Sequence, residues 1–455
     1  MDLEEYVRKQ LIDNQSEQII QQQLAKIIQQ YKHNTTIQSN ELAKTIIKEI
    51  KNTNKTEEEI NSLIGTYPHT NIHMGQFGVG SRGKGDFYVH SKIAHIIQET
   101  KTQAIINPTQ QDDGGVVKID TPEKESYITT AIDGIHSRLS EYPFLAGFHT
   151  ARATLRDVCV MGAKPIALIS DIHLADDGDI GKILDYTAGI CTVSELVNVP
   201  LVSGSTLRVG GDMVLGDRLV GAVGAVGSST IQPTSRKEAQ ISDIILLTEG
   251  AGGGTITTTA LYNNFPEVIE ETLNTQFIHA TNQLIKDNLL EKTNAMTDIT
   301  NGGIRGDANE INKTTKLGIE IDKEKIYSLI NPKVLQMLKI LDIDPLGIST
   351  DSLMIIVSPK YAEKIIKSIQ KVNIKIKPIG KITDTGKTVL IDKNKKEIIK
   401  PEFREAAYTP IKKLIGDITP KQYEEMKYKI DKATQESINK KNRIIKKIRI
   451  KESNL

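Results

Sequence analysis

Apolar residues recur every three or four positions through the first 66 residues, and this spacing predicts helices joined by polar turns. The first predicted helical face consists of Ile19, Ile20, Leu24, Ile27, Ile28 and Tyr31. The second consists of Leu42, Ile46, Ile47 and Ile50. Thr56 and Glu59 have the spacing of a capping box, which predicts a third, short helix carrying Ile60, Leu63 and Ile64. Amphipathic helices usually bury their apolar face, so we expect this unit to pack on its own chain rather than to recruit a partner.

After residue 110 the pattern changes to short apolar runs that alternate with long helical periods. Strands are predicted at 116–119, 127–132, 165–174, 200–202 and 218–226. Helices are predicted at 145–161 and 180–197, with a loop at 203–206. Gly162 directly follows the first of these helices and suits a C-cap.

A similar alternation begins again near residue 241, with strands predicted at 243–248, 319–321, 352–357 and 374–379 and a hairpin at 387–399 around Asn394. A glycine loop at 250–254 precedes a run of helical segments, and a turn at 296–303 feeds a helix that carries Ile304, Ala308 and Ile311. The length of 455 residues suggests two or three domains.

Charge and cysteine content narrow the possible classes of protein. The chain has 58 Lys and Arg against 57 Asp and Glu, so no global field favours nucleic acid or membrane. Cys159 and Cys191 form neither a disulfide framework nor a zinc spacing. The acidic start and the lack of a long apolar run predict a cytoplasmic location. A helical tail at 421–455 is locally basic, and we favour a solvated helix there over an RNA-binding one.

Several acidic residues stand at the ends of predicted elements. Asp112 and Asp113 precede two glycines and a strand, an arrangement that suits a phosphate-bound Mg²⁺, although a surface turn is the alternative. Asp133 ends the second strand. Asp157 lies in the last turns of a helix, where a carboxylate opposes the helix dipole unless a cation or an Arg partner compensates. Asp298 enters a glycine-rich turn before a helix, which suits a nucleotide or metal position or, alternatively, a helix cap.

The glycine-rich segment GVGSRGKGD at 78–86 contains the spacing G-x-G-x-x-G, but no buried strand precedes it. A dinucleotide-binding interpretation is therefore weak. Backbone N–H groups of such a segment, together with Arg82 and Lys84, can fold over phosphates. A hinge loop is the alternative.

Taken in order, these motifs resemble the AIR synthetase (PurM-like) superfamily, which includes thiamine-monophosphate kinase, selenophosphate synthetase and HypE-type maturation factors. The resemblance rests on DDGGVV at 112–117, TTAIDG at 129–134, LRDVCVMGAKP at 155–165, SGST at 203–206, and DITNGG at 298–303 followed by NEI at 309–311. It covers roughly residues 70–400. Several motifs in one order are more specific than any one of them.

The resemblance implies a PurM-like α/β (α+β) architecture with two domains, at 67–235 and 236–405. The mixed sheet of the first domain would pair with that of a second subunit to form a barrel in a homodimer, and the second domain would flank it. Helical extensions at 1–66 and 406–455 lie outside the match.

The resemblance also implies a site for ATP and Mg²⁺ in a cleft. The metal ligands would be Asp112, Asp113, Asp157 and Asp298. The nucleotide-binding residues would be Gly78, Gly80, Gly83, Lys84, Asp133 and Thr206. The catalytic residues would be Lys84 and Asp157.

The implied activity is ATP- and Mg²⁺-dependent phosphoryl transfer to an oxygen of a small molecule, with ADP as product. A non-catalytic nucleotide-binding scaffold or HypE-related maturation factor is the alternative, and neither nucleic acid nor membrane is expected as a partner. Three departures from relatives argue against their specific reactions. The SGST at 203–206 replaces the Gly-Gly-Asp-Thr of thiamine-monophosphate kinase, the segment 78–86 lacks the reactive cysteine of selenophosphate synthetase, and the chain ends ESNL instead of the HypE cysteine.

Overall fold

The computed structural model describes residues 1–32, 34–59, 67–80, 83–100, 102, 104–110, 112–119, 125–393, 395–405 and 407–453. The chain forms two β-sheets with helices packed on them, an α/β architecture of the kind that the family resemblance implies. The first sheet has the order β1-β2-β5-β3-β4 and the second β12-β11-β8-β10-β6-β9-β7. The strands are β1 Gly115–Ile119, β2 Ser126–Gly134, β3 Lys164–Leu174, β4 Leu201–Arg208, β5 Leu219–Ser229, β6 Ile244–Thr248, β7 Thr293–Asp298, β8 Gly318–Asp322, β9 Leu353–Val357, β10 Ile376–Thr383, β11 Thr388–Asp392 and β12 Lys395–Ile398.

The helices account for most of the remaining described residues. They are α1 Leu3–Ile12, α2 Glu17–Tyr31, α3 Thr36–Glu59, α4 Met74–Phe77, α5 Lys84–Gln98, α6 Pro143–Val160, α7 Gly181–Val197, α8 Gly254–Asn263, α9 Pro266–Thr272, α10 Gln276–Lys286, α11 Gly303–Thr315, α12 Lys323–Tyr327, α13 Pro332–Ile340, α14 Pro359–Gln370, α15 Pro410–Ile415 and α16 Tyr423–Ser453. Across the described ranges, no helix combines the length and the apolar character that crossing a bilayer requires.

Helices α6 and α7 cover one face of the first sheet in direct backbone contact. A Cβ placed on Gly147 of α6 would overlap the carbonyl of Tyr186, and one on Gly189 of α7 would overlap that of Phe144. Only glycine permits so close an approach. The buried side of α6 joins residues of both sheets in one core, so this helix sits where the two sheets meet.

No element of the described residues covers the aliphatic side chains on the other face of the first sheet. Pairing registers place six exposed aliphatic residues on this open face: Val117, Ile119, Ile132, Ile169, Leu207 and Val220. Their relative exposures run from 38% for Val220 to 71% for Ile132. In a single chain the sheet is open and does not close into a barrel.

Two local predictions were wrong. The segment 203–206 is not a loop, because β4 continues through it to Arg208 in parallel pairing with β3. The predicted helix start at Thr56 is also absent, because α3 runs without interruption to Glu59. No glycine or proline lies between residues 36 and 59 to end that helix. Ile60, Leu63 and Ile64, like Arg82 and Asn394, lie outside the described residues.

The N-terminal helices pack on the chain itself, as expected. Their apolar faces form one core with Leu215 of the β4–β5 connection. The backbone N–H of Leu3 donates to the Met213 carbonyl over 2.8 Å. Lys32 pairs with Asp176 and, at 3.0 Å, with Asp177. These two acids of the loop before α7 therefore have a protein cation as their partner.

The glycine-rich segment is held by a strap, which we define as residues 402–405. A Cβ on Gly83 would overlap the Phe403 carbonyl and lie 2.7 Å from the carbonyl oxygen of Glu402. The Lys84 amide, at the start of α5, donates to that Glu402 oxygen over 3.0 Å. Phe403 is 2% exposed and makes an edge contact with Tyr423 of α16 at 5.5 Å. The part of the segment that begins at Gly83 is thus built into the fold and is not a hinge loop.

We predict that Gly83→Ala destabilises the protein by roughly 1–3 kcal/mol, because the added methyl group must displace backbone rather than a side-chain tip. Urea unfolding measures the effect. Gly75→Ala is the matched control, since a Cβ there meets nothing within 4 Å. Equal unfolding midpoints for the two variants would contradict the strap contact.

Candidate functional site

The predicted acidic residues meet in a cleft of about 980 Å³ between the two sheets. Strands β1 and β2 contribute one wall, α6 contributes the floor, and the starts of α8 and α11 border the opposite side. Five predicted residues line this cleft: Asp112, Asp113, Asp133, Asp157 and Asp298. Residues more than 180 positions apart in sequence therefore share one site, as their motif order predicts.

The glycine-rich segment supplies only part of what was predicted. Gly80 lines the cleft, whereas Gly78, Gly83 and Lys84 do not. The Lys84 side chain is exposed. Thr206 also lies outside the cleft, on edge strand β4.

Asp157 is the electrostatic centre of the cleft. It is partly exposed to the cleft and projects from the last turns of α6. Loss of water contact raises its pKa well above the usual value, and the charges of Asp298, Asp133 and Asp113 raise it further. Arg156 opposes this shift. Such an arrangement of like charges is costly unless a cation is present.

Asp112 and Asp113 form hydrogen bonds and an ion pair with the segment that links the two sheets. The Ser235 hydroxyl donates to Asp112 over 2.7 Å and the Arg236 backbone N–H over 2.8 Å. Burial raises the Asp112 pKa, although these partners oppose it. Asp113 accepts from the Arg236 guanidinium at 2.7 Å and from the Thr297 hydroxyl at 2.9 Å. We call these contacts of Asp112 and Asp113 with Ser235, Arg236 and Thr297 the joint. The two aspartates thus connect parts of the structure and also form part of the cleft wall.

Arg236 is the hub of that joint. It is 1% exposed, and its guanidinium also lies 3.4 Å from Glu310 and 3.5 Å from Asp307 of α11. Burial disfavours its charge, but the surrounding carboxylates, led by Asp113, outweigh burial and raise its pKa above the ordinary value. One buried cation thus connects the first sheet, the linker and α11.

A second arginine holds Asp298. Arg156 of α6 donates to Asp298 over 2.9 Å and pairs with Asp351, which also pairs with Arg152. Burial raises the pKa of Asp351, but Arg156 and Arg152 outweigh it and lower the pKa below its usual value. The ion-pair chain fixes α6 against the turn after β7.

Sequence reasoning missed several residues that line the cleft: Asp86, His136, His149, Arg156, Asn301, Glu310 and Asp351. Asp86 is 1% exposed and accepts from the Gly80 N–H over 2.8 Å, so it fastens the glycine-rich segment to α5. Its position inside that segment was the available signal. The sequence around Asp351 and around His149 gave no such signal, because each residue stands in a segment with no recognisable motif.

The donor set fits a hard divalent cation such as Mg²⁺. No three His, Cys, Asp or Glu side chains of the described residues already form a complete metal-binding group. Mg²⁺ usually keeps several waters and binds one or two carboxylates together with substrate phosphates. The raised pKa of Asp157 beside three other carboxylates is the feature that such an ion would relieve.

Comparison with known protein families shows to which family this chain belongs. Residues 111–228 match the N-terminal domain of AIR synthase related proteins, and residues 240–393 match the C-terminal domain. This chain belongs to the AIR synthase related family. The predicted resemblance is confirmed, and the strap and both helical ends lie outside the matched domains.

Relatives of this AIR synthase related protein differ widely in similarity. Protein MJ1416 of Methanocaldococcus jannaschii is 52% identical over 451 residues, which cover 98% of each chain. The thiamine-monophosphate kinase of the same organism is 25% identical over 327 residues, 66% of this chain and 94% of the kinase. The solved structure of HypE in complex with ATP has a TM-score of 0.53 at 16% identity and covers 71% of this chain and 97% of HypE. The HypE likeness shows the fold alone.

We predict that Arg236→Gln lowers the free energy of unfolding by roughly 3–5 kcal/mol, because it leaves buried carboxylates without their cation. Urea unfolding of the full chain measures this change. Arg218→Gln is the control, since Arg218 is exposed, and a change within about 0.5 kcal/mol is expected for it. A loss for Arg236→Gln no larger than that of the control would show that the joint does not depend on this side chain.

Proposed function

We propose that this protein is an ATP- and Mg²⁺-dependent enzyme that transfers the γ-phosphoryl group of ATP to an oxygen of a small molecule, with ADP as product. The acceptor would carry an amide, phosphate or carboxylate oxygen. The observation that carries the proposal is the convergence of Asp113, Asp133, Asp157 and Asp298 in one cleft. A relative of the same fold binds ATP, and the cleft volume is near the upper end of the usual range for ligand sites.

The roles follow from position. Asp157 and Asp298, with Asp113 beside them, would hold Mg²⁺, which when bound neutralises phosphate oxygens. Asp133 lies across the cleft from α6, on β2, and would complete this acidic wall. Arg156 positions Asp298 through a buried ion pair. The position of Lys84 does not support the predicted catalytic role, since its side chain is exposed and lies outside the cleft.

A nucleotide-binding scaffold is the second candidate. Arg156 is the one arginine and no lysine is found among the described residues that line the cleft, and Arg156 is already paired with two aspartates. Phosphoryl-transferring enzymes commonly use a cationic side chain at the transferring group. ADP formation, followed across a panel of small acceptors, separates the candidates, because a scaffold binds ATP without turnover.

We predict that Asp157→Asn weakens Mg·ATP binding at least tenfold in calorimetry while it stabilises the metal-free protein. Removing one of several repelling carboxylates relieves the apo cleft but takes away a metal ligand. Each kcal/mol gained in the free energy of unfolding raises the melting temperature by roughly 2–4 °C for domains of this size.

Asp384→Asn is the matched control for this prediction, because Asp384 is exposed in the turn before β11. It should change neither nucleotide affinity nor stability. An Asp157→Asn protein that binds Mg·ATP as tightly as the wild type would remove Asp157 from the site.

The open face of the first sheet supports a homodimer. Six exposed aliphatic side chains on one sheet face form the kind of surface that a second copy of the chain buries. A second sheet packed on this face would also enclose the cleft residues Ile132 and Ile169. The dimer would thereby limit access of water to the site.

We predict that Leu207→Glu converts a dimer to a monomer in sedimentation velocity experiments, because it places a charge on the open face, where Leu207 is 56% exposed. Leu184→Glu is the control, since Leu184 is 66% exposed on α7, on the covered side of the sheet. A wild-type chain that is monomeric at all concentrations would exclude the barrel arrangement.

A further inference from the structure

Arg138 and Lys412 are two cationic side chains that lie close together and have no acidic partner. Arg138 belongs to a short 3₁₀ turn, Ser137–Glu141, that precedes α6, and Lys412 belongs to α15. Both residues are half-buried. Neither forms an ion pair with an Asp or Glu of the described residues. Charges that lose water contact are normally paired, so this arrangement indicates a partner from outside the chain.

Each of the two cations lies on the face of a tyrosine ring. The Arg138 guanidinium carbon is 3.9 Å from the centroid of the Tyr262 ring, and Lys412 Nζ is 3.9 Å from the centroid of the Tyr408 ring. The Tyr262 hydroxyl also donates to the Arg138 carbonyl over 3.0 Å, which fixes this ring. A ring face attracts a cation but does not replace the oxygen acceptors that guanidinium and ammonium N–H groups bind. Within the part of the chain that the structure describes, these N–H groups have no such acceptor.

The groups around this pair leave its positive charge uncompensated. Burial, then the charge of Arg138, lowers the pKa of Lys412 to about 8. Burial, then the charges of Lys412 and Arg138, lowers the pKa of His136 to about 4, so His136 is neutral near pH 7. Tyr408 is neutral as well, because burial raises its pKa to about 12. Two like charges without a counter-ion are costly, and a bound anion would relieve this cost.

The two cations lie outside the cleft described above. Neither they nor their tyrosines line it, whereas His136, which contacts Tyr408, does. The Thr258 hydroxyl donates to the Gly254 carbonyl, so the neutral His136 ring donates to Thr258 through Nδ1 over 2.9 Å. Its Nε2 then accepts from the Tyr408 hydroxyl at 2.9 Å. This hydrogen bond stands between the cation pair and the cleft, and it leaves the two cations as the groups that can recognise a ligand.

We propose that Arg138 and Lys412 form a phosphate-binding site outside the cleft, which takes free phosphate or the phosphate group of a small metabolite. The inference goes beyond the proposed function and does not depend on it. One phosphate dianion supplies the two negative charges that the pair lacks, whereas a carboxylate supplies one. The guanidinium can donate two parallel N–H groups to phosphate oxygens, and the ammonium can donate to a third oxygen. Lys412 lies beyond residue 393, where the matched family domain ends, so the C-terminal segment completes this site.

Calorimetry on the full chain tests this site with inorganic phosphate, glycerol 3-phosphate and acetate as separate probes. EDTA is present, because without a divalent cation the acidic cleft repels phosphate. We expect saturable binding of at least one phosphate probe and weaker binding of acetate. Tighter binding of glycerol 3-phosphate would identify a metabolite group as the ligand, and tighter binding of inorganic phosphate would identify the free anion. Absence of binding by both phosphate probes, or acetate binding of equal strength, would overturn the proposal.

Lys412 gives the site a signature that a merely structural role would not produce. Near pH 8 part of the Lys412 population is neutral, and a bound dianion favours the charged form. Phosphate binding at this pH should therefore take up protons. Calorimetry in two buffers of different ionisation enthalpy measures the uptake, and binding without it would place the anion away from Lys412 and reject the site.

Lys412→Met is the decisive variant, because it keeps the length of the side chain and removes the charge. Phosphate binding should weaken roughly tenfold or more, and the proton uptake should disappear. Lys421→Met is the matched control, since Lys421 is exposed and carries the same charge, and it should change neither quantity. Equal phosphate affinity in the two variants would contradict the assignment.

Arg138→Gln is an independent second variant and should weaken phosphate binding to a similar extent. Urea unfolding without phosphate shows whether each variant is folded, and we expect little change, because each substitution removes one of two like charges. If one variant does not fold, the other still tests the same site. Unchanged phosphate binding in a folded Arg138→Gln protein would reject the two-cation site. No nucleotide is present in these titrations, so their outcome is separate from that of the proposed function.

Discussion

The neutralisation of buried carboxylates by two arginines is the constraint on which the cleft depends. Arg236 holds the Asp112-Asp113 pair, and Arg156 holds Asp298 and Asp351. Removing one partner of a buried ion pair destabilises a protein far more than the intact pair stabilises it. These contacts therefore fix the relative positions of the first sheet, α6 and the turn after β7. Burial and the charges of Asp298, Asp133 and Asp113 raise the pKa of Asp157, and the neighbouring Arg156 offsets only part of this shift.

Helix α5 borders the cleft, and it is supported by residues that lie outside the two matched family domains. The strap accepts the amide of Lys84 and closes on Gly83, while α16 packs along α5. In α5, the Tyr88 hydroxyl donates to Asp431 of α16 over 2.6 Å. The C-terminal segment thus positions the helix that carries Asp86, a lining residue of the cleft. A basic tail that sequence reasoning treats as a solvated helix has a structural role in the site.

The sequence predicted the acidic cluster well, because motif order carries information that single residues lack. Asp113, Asp133, Asp157 and Asp298 were identified by their places at strand and helix ends, and such ends meet at one edge of an α/β unit. Prediction from local sequence failed where strand pairing in the folded protein overrides the local preference. The SGST at 203–206 has the composition of a loop, yet pairing with β3 extends it as a strand.

Residues that act through long-range contacts had no local signal at all. Arg236 stands in a polar linker, and only the fold shows that the Asp113 and Glu310 side chains converge on it. His149 occupies an ordinary position in an apolar helix, so a core residue was the natural interpretation. Its partner Thr257 lies in α8, more than 100 residues later in the chain, and only the packing of α6 against α8 brings the two together.

The cleft separates two kinds of electrostatic demand along one helix. Near the C-terminal end of α6, Asp157 is close to other carboxylates, and burial and these charges raise its pKa. Earlier in the helix, Arg152 lies beside the start of α8, where Asp351 is its ion-pair partner. Arg156 pairs with both Asp298 and Asp351 and so links the two groups of carboxylates. The arginines of α6 are thus neutralised by aspartates at strand ends of the second sheet, whereas Asp157 is surrounded by carboxylates, and this imbalance is the physical argument for the metal site proposed above.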